Sequence, residues 1–250
     1  NPPIYGTRLT LGILQHKLSE HSLPSKPMLN CVEAGDVIRL GRFSVEFIHV
    51  NHSIADACAL AIFTPLGTVI HTGDFKLDLT PIDGEMMNIT RLGEIGKKGV
   101  MLFMCESTNA ERPGFTPSER TVGRSLEYIF NTNPDKRIII ATFSSNVHRV
   151  QQIIDVSARH GRRVAVTGRS MLNIVGAAVE LGYMNVPEGV LIDISEIKRF
   201  KPEELTLITT GSQGEPMSAL YRIAFSEHER VKISSNDVVV LSSSAIPGNE

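Results

Sequence analysis

Arg137-Ile138-Ile139-Ile140-Ala141-Thr142-Phe143-Ser144-Ser145-Asn146 is the stretch on which the fold turns. Its first half is a short β-branched run, which reads as a strand. Its second half is a hydroxyl-rich loop that leads straight into a helix-length segment near 146–160. The same order then repeats. Strands are expected near 137–143, 163–167, 190–194, 205–210 and 237–242, and helices near 146–160, 170–183 and 216–226. Short apolar runs alternating with helix-length segments indicate an α/β fold with a doubly wound parallel sheet.

Toward the amino terminus the pattern extends to a helix opened by Thr116-Pro117-Ser118-Glu119. This reads as a capping box with Pro at the first helical position. Val122, Leu126, Ile129 and Phe130 form the apolar face of that helix. Upstream of about residue 112 the character changes, and the boundary is expected between 107 and 116. Val37-Ile38-Arg39-Leu40 and Phe43-Ser44-Val45-Glu46-Phe47-Ile48 flank Gly41-Arg42 as a hairpin. Ala59-Leu60-Ala61-Ile62-Phe63 and Thr68-Val69-Ile70 pair around Pro65-Leu66-Gly67. A short helix near 89–97 and a strand at 100–105 complete a mostly antiparallel half.

A chain of 250 residues suffices for one large domain or two smaller ones. Its apolar runs, such as residues 100–105, are far too short to cross a bilayer. Asn1-Pro2-Pro3 is no secretory leader, and with Pro247-Gly248-Asn249-Glu250 at the other end the chain reads as an excised segment. Cys31, Cys58 and Cys105 include no Cys-x-x-Cys pair and are expected to be buried free thiols in a reducing cytoplasm. The net charge of −2 hides an asymmetry: residues 31–111 hold 6 Lys/Arg against 11 Asp/Glu, a net of −5, and residues 112–169 hold 10 against 4, a net of +6. An acidic half beside a basic half suits a cation site next to a polyanion track; the plainer reading is an uneven solvated surface.

Four strands of the basic half end in Ser/Thr/Gly loops: Thr142-Phe143-Ser144-Ser145-Asn146, Thr167-Gly168-Arg169-Ser170, Thr209-Thr210-Gly211-Ser212-Gln213-Gly214 and Ser242-Ser243-Ser244. In a doubly wound sheet all of them lie on the carboxyl edge, where ligands bind. Helix N-termini and hydroxyls there favour anions, and Arg149 and Arg169 add charge. No loop has P-loop spacing and no Gly-x-Gly-x-x-Gly follows a strand, so nucleotide fingerprints are absent. The competing reading is that Ser, Thr and Asn are ordinary helix caps. In the acidic half, His52 and Asp74 each follow an apolar run, and Asp56, Asp78 and Glu106 also stand at strand ends. Imidazole and carboxylates along one edge suit two divalent ions bridged by a carboxylate. No His-x-His-x-Asp-His cluster occurs, so a metal site in this chain is incomplete.

Taken in order, His52-Ser53-Ile54-Ala55-Asp56, His71-Thr72-Gly73-Asp74-Phe75-Lys76, Glu106-Ser107-Thr108-Asn109-Ala110-Glu111, Thr142-Phe143-Ser144-Ser145-Asn146-Val147-His148-Arg149, Gly168-Arg169-Ser170-Met171, Thr210-Gly211-Ser212-Gln213-Gly214-Glu215-Pro216-Met217 and Ser242-Ser243-Ser244-Ala245-Ile246-Pro247-Gly248-Asn249 resemble ribonuclease J, of the β-CASP branch of the metallo-β-lactamase superfamily. The resemblance covers essentially the whole chain. It implies an αββα-type metallo-β-lactamase portion over residues 1–110, most of an inserted β-CASP domain over 111–244, and the start of a return at 245–250. His52 and Asp74 match metal motifs, Asp74 being the carboxylate that bridges two zinc or manganese ions. Glu106 matches an acid that orients a catalytic histidine. The family usually has Asp at that position, and Pro where this chain has Ala55. Ser144, Ser145, Asn146, Arg149 and Ser243 fall on the family's RNA path and 5′-phosphate pocket, with His148 facing RNA or capping its helix.

The implied activity is metal-assisted hydrolysis of single-stranded RNA, 5′→3′ from a 5′-monophosphate and also endonucleolytic, in RNA maturation and decay. A homo-oligomer or a paralogous nuclease subunit is the implied partner, and the cytoplasm the implied compartment, with no membrane involved. The remaining histidine motifs would lie before Asn1 and after Glu250, so this segment alone is expected to bind no catalytic pair of ions and to cleave nothing. Two rival readings are a non-catalytic subunit that binds RNA or a nuclease, and a metallo-β-lactamase acting on a small molecule. His71 could stand behind the metal ligands, but a satisfied core histidine is the preferred expectation. His49 reads as a packed or exposed strand residue, and His16, His21, His160 and His228 as surface. Met86, Met87, Met101 and Met104 read as core fillers.

Overall fold

Antiparallel hairpins build the first part of the chain, as its alternating apolar residues require. The computed structural model describes residues 2–21, 26–243 and 248. They fall into two units, Asn1–Arg120 and Thr121–Glu250. The division lies a little beyond the 107–116 window read from composition. Residues 244–247 and 249–250, and with them most of the expected return at 245–250, are outside the described residues.

In the first unit, β1 (Ile4–Gly6) pairs in parallel with β2 (Leu29–Cys31), with α1 (Arg8–Ser19) between them. A five-stranded sheet follows in simple order: β3 (Val37–Leu40), β4 (Phe43–His49), β5 (Cys58–Thr64), β6 (Gly67–His71) and β7 (Leu102–Met104). All pairs are antiparallel except β6 with β7, which α2 (Ile89–Lys97) joins as a crossover. Alternation along β4 separates two cores. Ile48 packs with Ala59, Ala61, Ile70 and Ile95 of α2. Val45 and Phe47 face the other way, against Val32 and Tyr5. Glu46 shares the α2 face; its buried carboxylate takes a two-pronged bond from Arg91, at 2.6 and 2.9 Å, which fixes the helix on the sheet.

The second unit is the parallel sheet expected from the alternating pattern. After α3 (Arg120–Thr132) come β8 (Arg137–Ala141), α4 (Val147–Arg159), β9 (Arg163–Thr167), α5 (Arg169–Glu180), β10 (Leu191–Ile192), β11 (Leu205–Thr209), α6 (Ala219–Ala224) and β12 (Asp237–Leu241). The strand order is β10-β9-β11-β8-β12, every pair parallel. Ile138, Ile139, Ile140 and Ala141 are buried whichever face they point to, because helices cover both sides.

Several local expectations are corrected. The Thr116-Pro117-Ser118-Glu119 box does not open a helix; α3 starts at Arg120. Ser118 Oγ accepts the Arg120 N–H at 3.3 Å, and a distant residue shares the capping. Asp78 is buried, accepts the Thr80 N–H at 3.0 Å and the Glu119 N–H at 3.2 Å, and pairs with Lys76 at 3.6 Å. Cys31 and Cys105 are exposed and Cys58 is half-buried, so the thiols are free but not core residues. Met101 and Met104 are exposed on the edge strand β7 and Met86 is exposed beside Met87, which alone of the four is buried.

Burial pushes the Asp78 carboxyl up, but the bonds from Thr80, Ser118 and Glu119 and the charge of Lys76 outweigh it and hold it below its ordinary range. A lowered carboxyl contributes stability above its unfolded value, near ~3.9, and loses it as pH falls through the folded value. Asp78→Asn is therefore expected to cost about 1–2 kcal/mol at pH 7. In melts of both proteins the gap should close on acidification below about pH 4. A gap that does not change with pH would rule this role out.

Candidate functional site

Strand direction brings the acidic-half candidates together. Because β5 is antiparallel to both β4 and β6, those two strands run the same way, and β7 runs parallel to β6. The loops leaving β4, β6 and β7 thus emerge at one edge, carrying His52, Asp74 and Glu106. His52 Nε2 lies 3.8 Å from Asp74 Oδ2. That is shorter than two metal–ligand bonds of about 2.0–2.2 Å laid end to end, so both atoms can reach one divalent ion. The Asp74 side chain is 76% exposed and that of His52 35%, so the pair faces solvent.

The loops are tied to one another by backbone and buried polar groups. Asn51, next to His52, is buried; its carbonyl accepts the Lys76 N–H at 2.8 Å, and its amide side chain bonds Glu85 O at 2.6 Å and the Met87 N–H at 2.9 Å. The turn before Asp74 needs the left-handed Gly73, at φ 60°. There His71 Nδ1 accepts the Gly73 N–H at 3.0 Å. His71 is exposed and holds this turn, which corrects its reading as a core histidine. Glu106 is half-buried, and its carboxylate accepts the Thr108 N–H at 2.8 Å.

Asp56 and Asp78 do not join this edge as ligands. Asp56 accepts bonds from the Thr7 hydroxyl at 2.9 Å and the Leu9 N–H at 3.0 Å, capping α1. Asp78 is consumed by the turn at 118–119 described above. Among the described residues, no group of three or more His, Cys, Asp or Glu is placed to hold a metal ion. His52 and Asp74 are the candidate donors that the structure brings together.

In the second unit the loops leaving β8, β9, β11 and β12 share the carboxyl edge of the parallel sheet. Ser144 and Ser145 are half-buried. Asn146 is 3% exposed and its Oδ1 accepts the Arg149 N–H at 3.1 Å, so its side chain caps α4. His148, in the first turn of α4, is half-buried. Arg149 donates from Nη1 to Ser242 O at 2.5 Å and to Ser242 Oγ at 3.3 Å, bracing the neighbouring loop. Ser243 Oγ donates to Ser212 O at 2.9 Å. Arg169 is exposed at the start of α5, where the helix dipole disfavours a cation unless an anion is near. Beneath these loops, Thr142 Oγ1 and Ser212 Oγ are buried with no hydrogen-bond partner among the described residues. Unsatisfied buried hydroxyls cost energy, and an incoming acceptor relieves that cost.

Part of the positive charge of residues 112–169 is engaged within the unit. Arg137 pairs with Asp237 at 2.6 Å, Arg159 with Glu127 at 2.8 Å, Arg163 donates to Gly189 O, and Arg162 is buried. These four charges are partnered or buried within the second unit. His160 and His228 are likewise more than surface residues. His160 bonds Glu127 at 3.0 Å and lies against Phe130. His228 contacts Thr167 Oγ1 at 2.9 Å, and burial, with Arg222 nearby, lowers its pKa. Among the described residues no helix is long and apolar enough to cross a membrane.

Residues 135–250 match the family model of the ribonuclease J β-CASP domain. Over 249 residues the chain is 45% identical to ribonuclease J of Synechocystis sp., spanning 99% of this chain and 39% of that protein. Identity is 46% to ribonuclease J of Helicobacter pylori, over 99% of this chain and 36% of the relative. For ribonuclease J of Thermus thermophilus it is 44%, over 99% and 43%. The chain thus spans about two fifths of the length of these curated relatives. A solved structure of a protein of unknown function from Enterococcus faecalis aligns over 97% of this chain and 65% of its own, with a TM-score of 0.63 and 18% identity, a likeness of fold.

Proposed function

The chain carries the ribonuclease J sequence pattern from end to end, with that family's β-CASP domain over residues 135–250, and from this premise we propose that it is a segment of a metal-dependent ribonuclease. The observation that carries the proposal is the delivery of His52 and Asp74 to one sheet edge, 3.8 Å apart. His52 and Asp74 would hold a divalent ion, zinc or manganese, with donors supplied by the rest of the protein; two ions are expected in the complete site. Such an ion, when bound, lowers the pKa of its water and polarises a phosphodiester oxygen. Asp74 supplies the negative charge that makes the edge attractive to a dication, and His52 a neutral nitrogen donor. Glu106, from the next loop of the same edge, is assigned to orienting a histidine outside this chain.

Single-stranded RNA is the proposed substrate, bound through its phosphates at the carboxyl edge of the parallel sheet. Ser144, Ser145, His148, Arg169 and Ser243 line that edge, and the unpartnered hydroxyls of Thr142 and Ser212 lie under it. Asn146 and Arg149 serve there by fixing α4 and the loop at 242–243. Recognition of backbone and stacked bases predicts weak sequence preference. The likeness to ribonuclease J also supports a homo-oligomer or a pairing with a paralogous nuclease subunit, and the free thiols fit the cytoplasm.

The test uses the full-length protein with 5′-monophosphorylated and 5′-triphosphorylated single-stranded RNA, in Zn²⁺, Mn²⁺ or EDTA. Release of mononucleotides from the monophosphorylated RNA, abolished by EDTA, is the expected result. RNA binding without cleavage under any metal would overturn the proposal in favour of a non-catalytic subunit.

A further inference from the structure

Thr72 is 1% exposed, between His71 and the Gly73 turn that presents Asp74. The β6–β7 ladder ends at the pair His71 and Met104, after which the two strands part toward Asp74 and Glu106. Thr72 continues the link beyond that point. Its N–H donates to Met104 O at 3.0 Å. Its hydroxyl donates to Gly73 O at 2.8 Å, lies 3.4 Å from Met104 O, and accepts the Glu106 N–H at 3.1 Å. A hydroxyl has one proton and two lone pairs, so this single group holds the Asp74 turn and the Glu106 backbone at once. Val would fill the same space without burying a polar atom, and burying a hydroxyl is costly unless it is bonded.

We propose that Thr72 is a positioning residue of the metal-bearing edge, setting the Asp74 carboxylate in register with Glu106. This rests on the metal-dependent hydrolase reading of that edge. Outer partners of metal ligands set affinity and turnover by about 10–100-fold, and Thr72 acts on a ligand loop and an outer-partner loop together.

The experiment compares full-length wild type, Thr72→Val, Thr72→Ser, Glu106→Gln and the Thr72→Val/Glu106→Gln double variant. Zinc affinity is read by competition with a chromophoric chelator, kcat and KM on 5′-monophosphorylated RNA, and folding by thermal melts. Thr72→Val is expected to lose about 10-fold or more in zinc affinity and in kcat with KM unchanged. Thr72→Ser, which keeps the hydroxyl, should stay close to wild type. The double variant should lose little more in kcat than the worse single one, because the two residues act through one link. If Thr72→Val is unfolded at the assay temperature, Thr72→Ala is read in its place with the same expectations. Wild-type zinc affinity and kcat in the hydroxyl-less variant, or losses that multiply fully in the double one, would overturn the proposal. A wild-type protein that binds zinc but cleaves no RNA would instead end the ribonuclease reading, and the zinc affinities would still decide on Thr72.

Discussion

Full-length protein carrying Asp74→Ala will fold as the wild type does and show no metal-dependent RNA cleavage above background. The expected loss in kcat is on the order of 10³-fold or more, beyond the 10–100-fold typical of an outer partner, because the substitution removes a ligand itself. The effect is specific to chemistry. With its side chain 76% exposed, Asp74 contributes nothing to the core, and surface substitutions of this kind move stability by no more than about 0.5 kcal/mol. Asp74→Asn keeps the shape and loses the charge, and should fail nearly as badly, since a dication is held by the carboxylate's charge. The measurement pairs a melting curve with single-turnover cleavage in excess Zn²⁺ or Mn²⁺. An Asp74→Ala protein that melts normally and retains more than about a tenth of wild-type kcat would remove Asp74 from the site.

Arg162→Met will unfold the second unit under conditions where the wild type is folded. Arg162 is 3% exposed and meets backbone oxygens in place of a carboxylate. Nη1 donates to Lys136 O at 2.6 Å and Leu205 O at 3.3 Å, and Nη2 to Asn133 O at 2.9 Å and Pro134 O at 3.2 Å. The guanidinium carbon also sits 5.4 Å from the centroid of the Phe130 ring. One side chain thus joins the end of α3, the approach to β8 and the starts of β9 and β11. Burial pulls its pKa down, with Glu203 and Asp135 pulling it up in opposition. Met fills the volume but leaves four carbonyls short of donors, at about 1–3 kcal/mol for each that finds no other partner. A net cost of roughly 3–5 kcal/mol is expected, a large share of a typical domain stability of about 5–15 kcal/mol. Denaturant unfolding followed by helical circular dichroism checks it. Arg162→Lys should fall between, because an ammonium serves fewer of the four oxygens. A midpoint within about 1 kcal/mol of wild type for Arg162→Met would show the carbonyls are satisfied without it.

What the sequence made legible follows from how local each signal is. The parallel sheet could be read because four of its five strands are five-residue runs rich in β-branched side chains, and α2 because its apolar residues keep helical spacing over 89–97. Helix α1 was not legible. Thr7 makes no side-chain cap of its own, and the cap comes from Asp56, 47 residues from the Leu9 N–H it receives. Thr116-Pro117-Ser118-Glu119 misleads for the same reason: the acceptor is Asp78, 41 residues upstream of Glu119. Met101 and Met104 read as core fillers, yet β7 is an edge strand and its side chains are exposed. In the candidate site, His52 and Asp74 could be picked out as polar residues ending apolar strands. Thr72 and Asn51 could not, because a hydroxyl or amide inside a strand exit shows its purpose only when a distant loop closes on it. Charge counting could not tell which cations the scaffold takes up: Arg137 and Arg162 are bound within it, while Arg159 pairs with Glu127 on the surface.

The strands that deliver His52, Asp74 and Glu106 are held by Ile48, Ala59, Ala61, Ile70 and Ile95, none of which reaches the edge they serve. Folding and chemistry therefore answer to separate residues. A lineage could lose its carboxylate at position 74 in one step and keep an intact domain, still able to offer the other unit's loops to a nucleic acid. Selection for a well-folded protein would not notice the loss; only selection for turnover would. On the proposed ribonuclease reading, an inactive relative lies one substitution away, and reading the proposed ligands matters more than reading the shape.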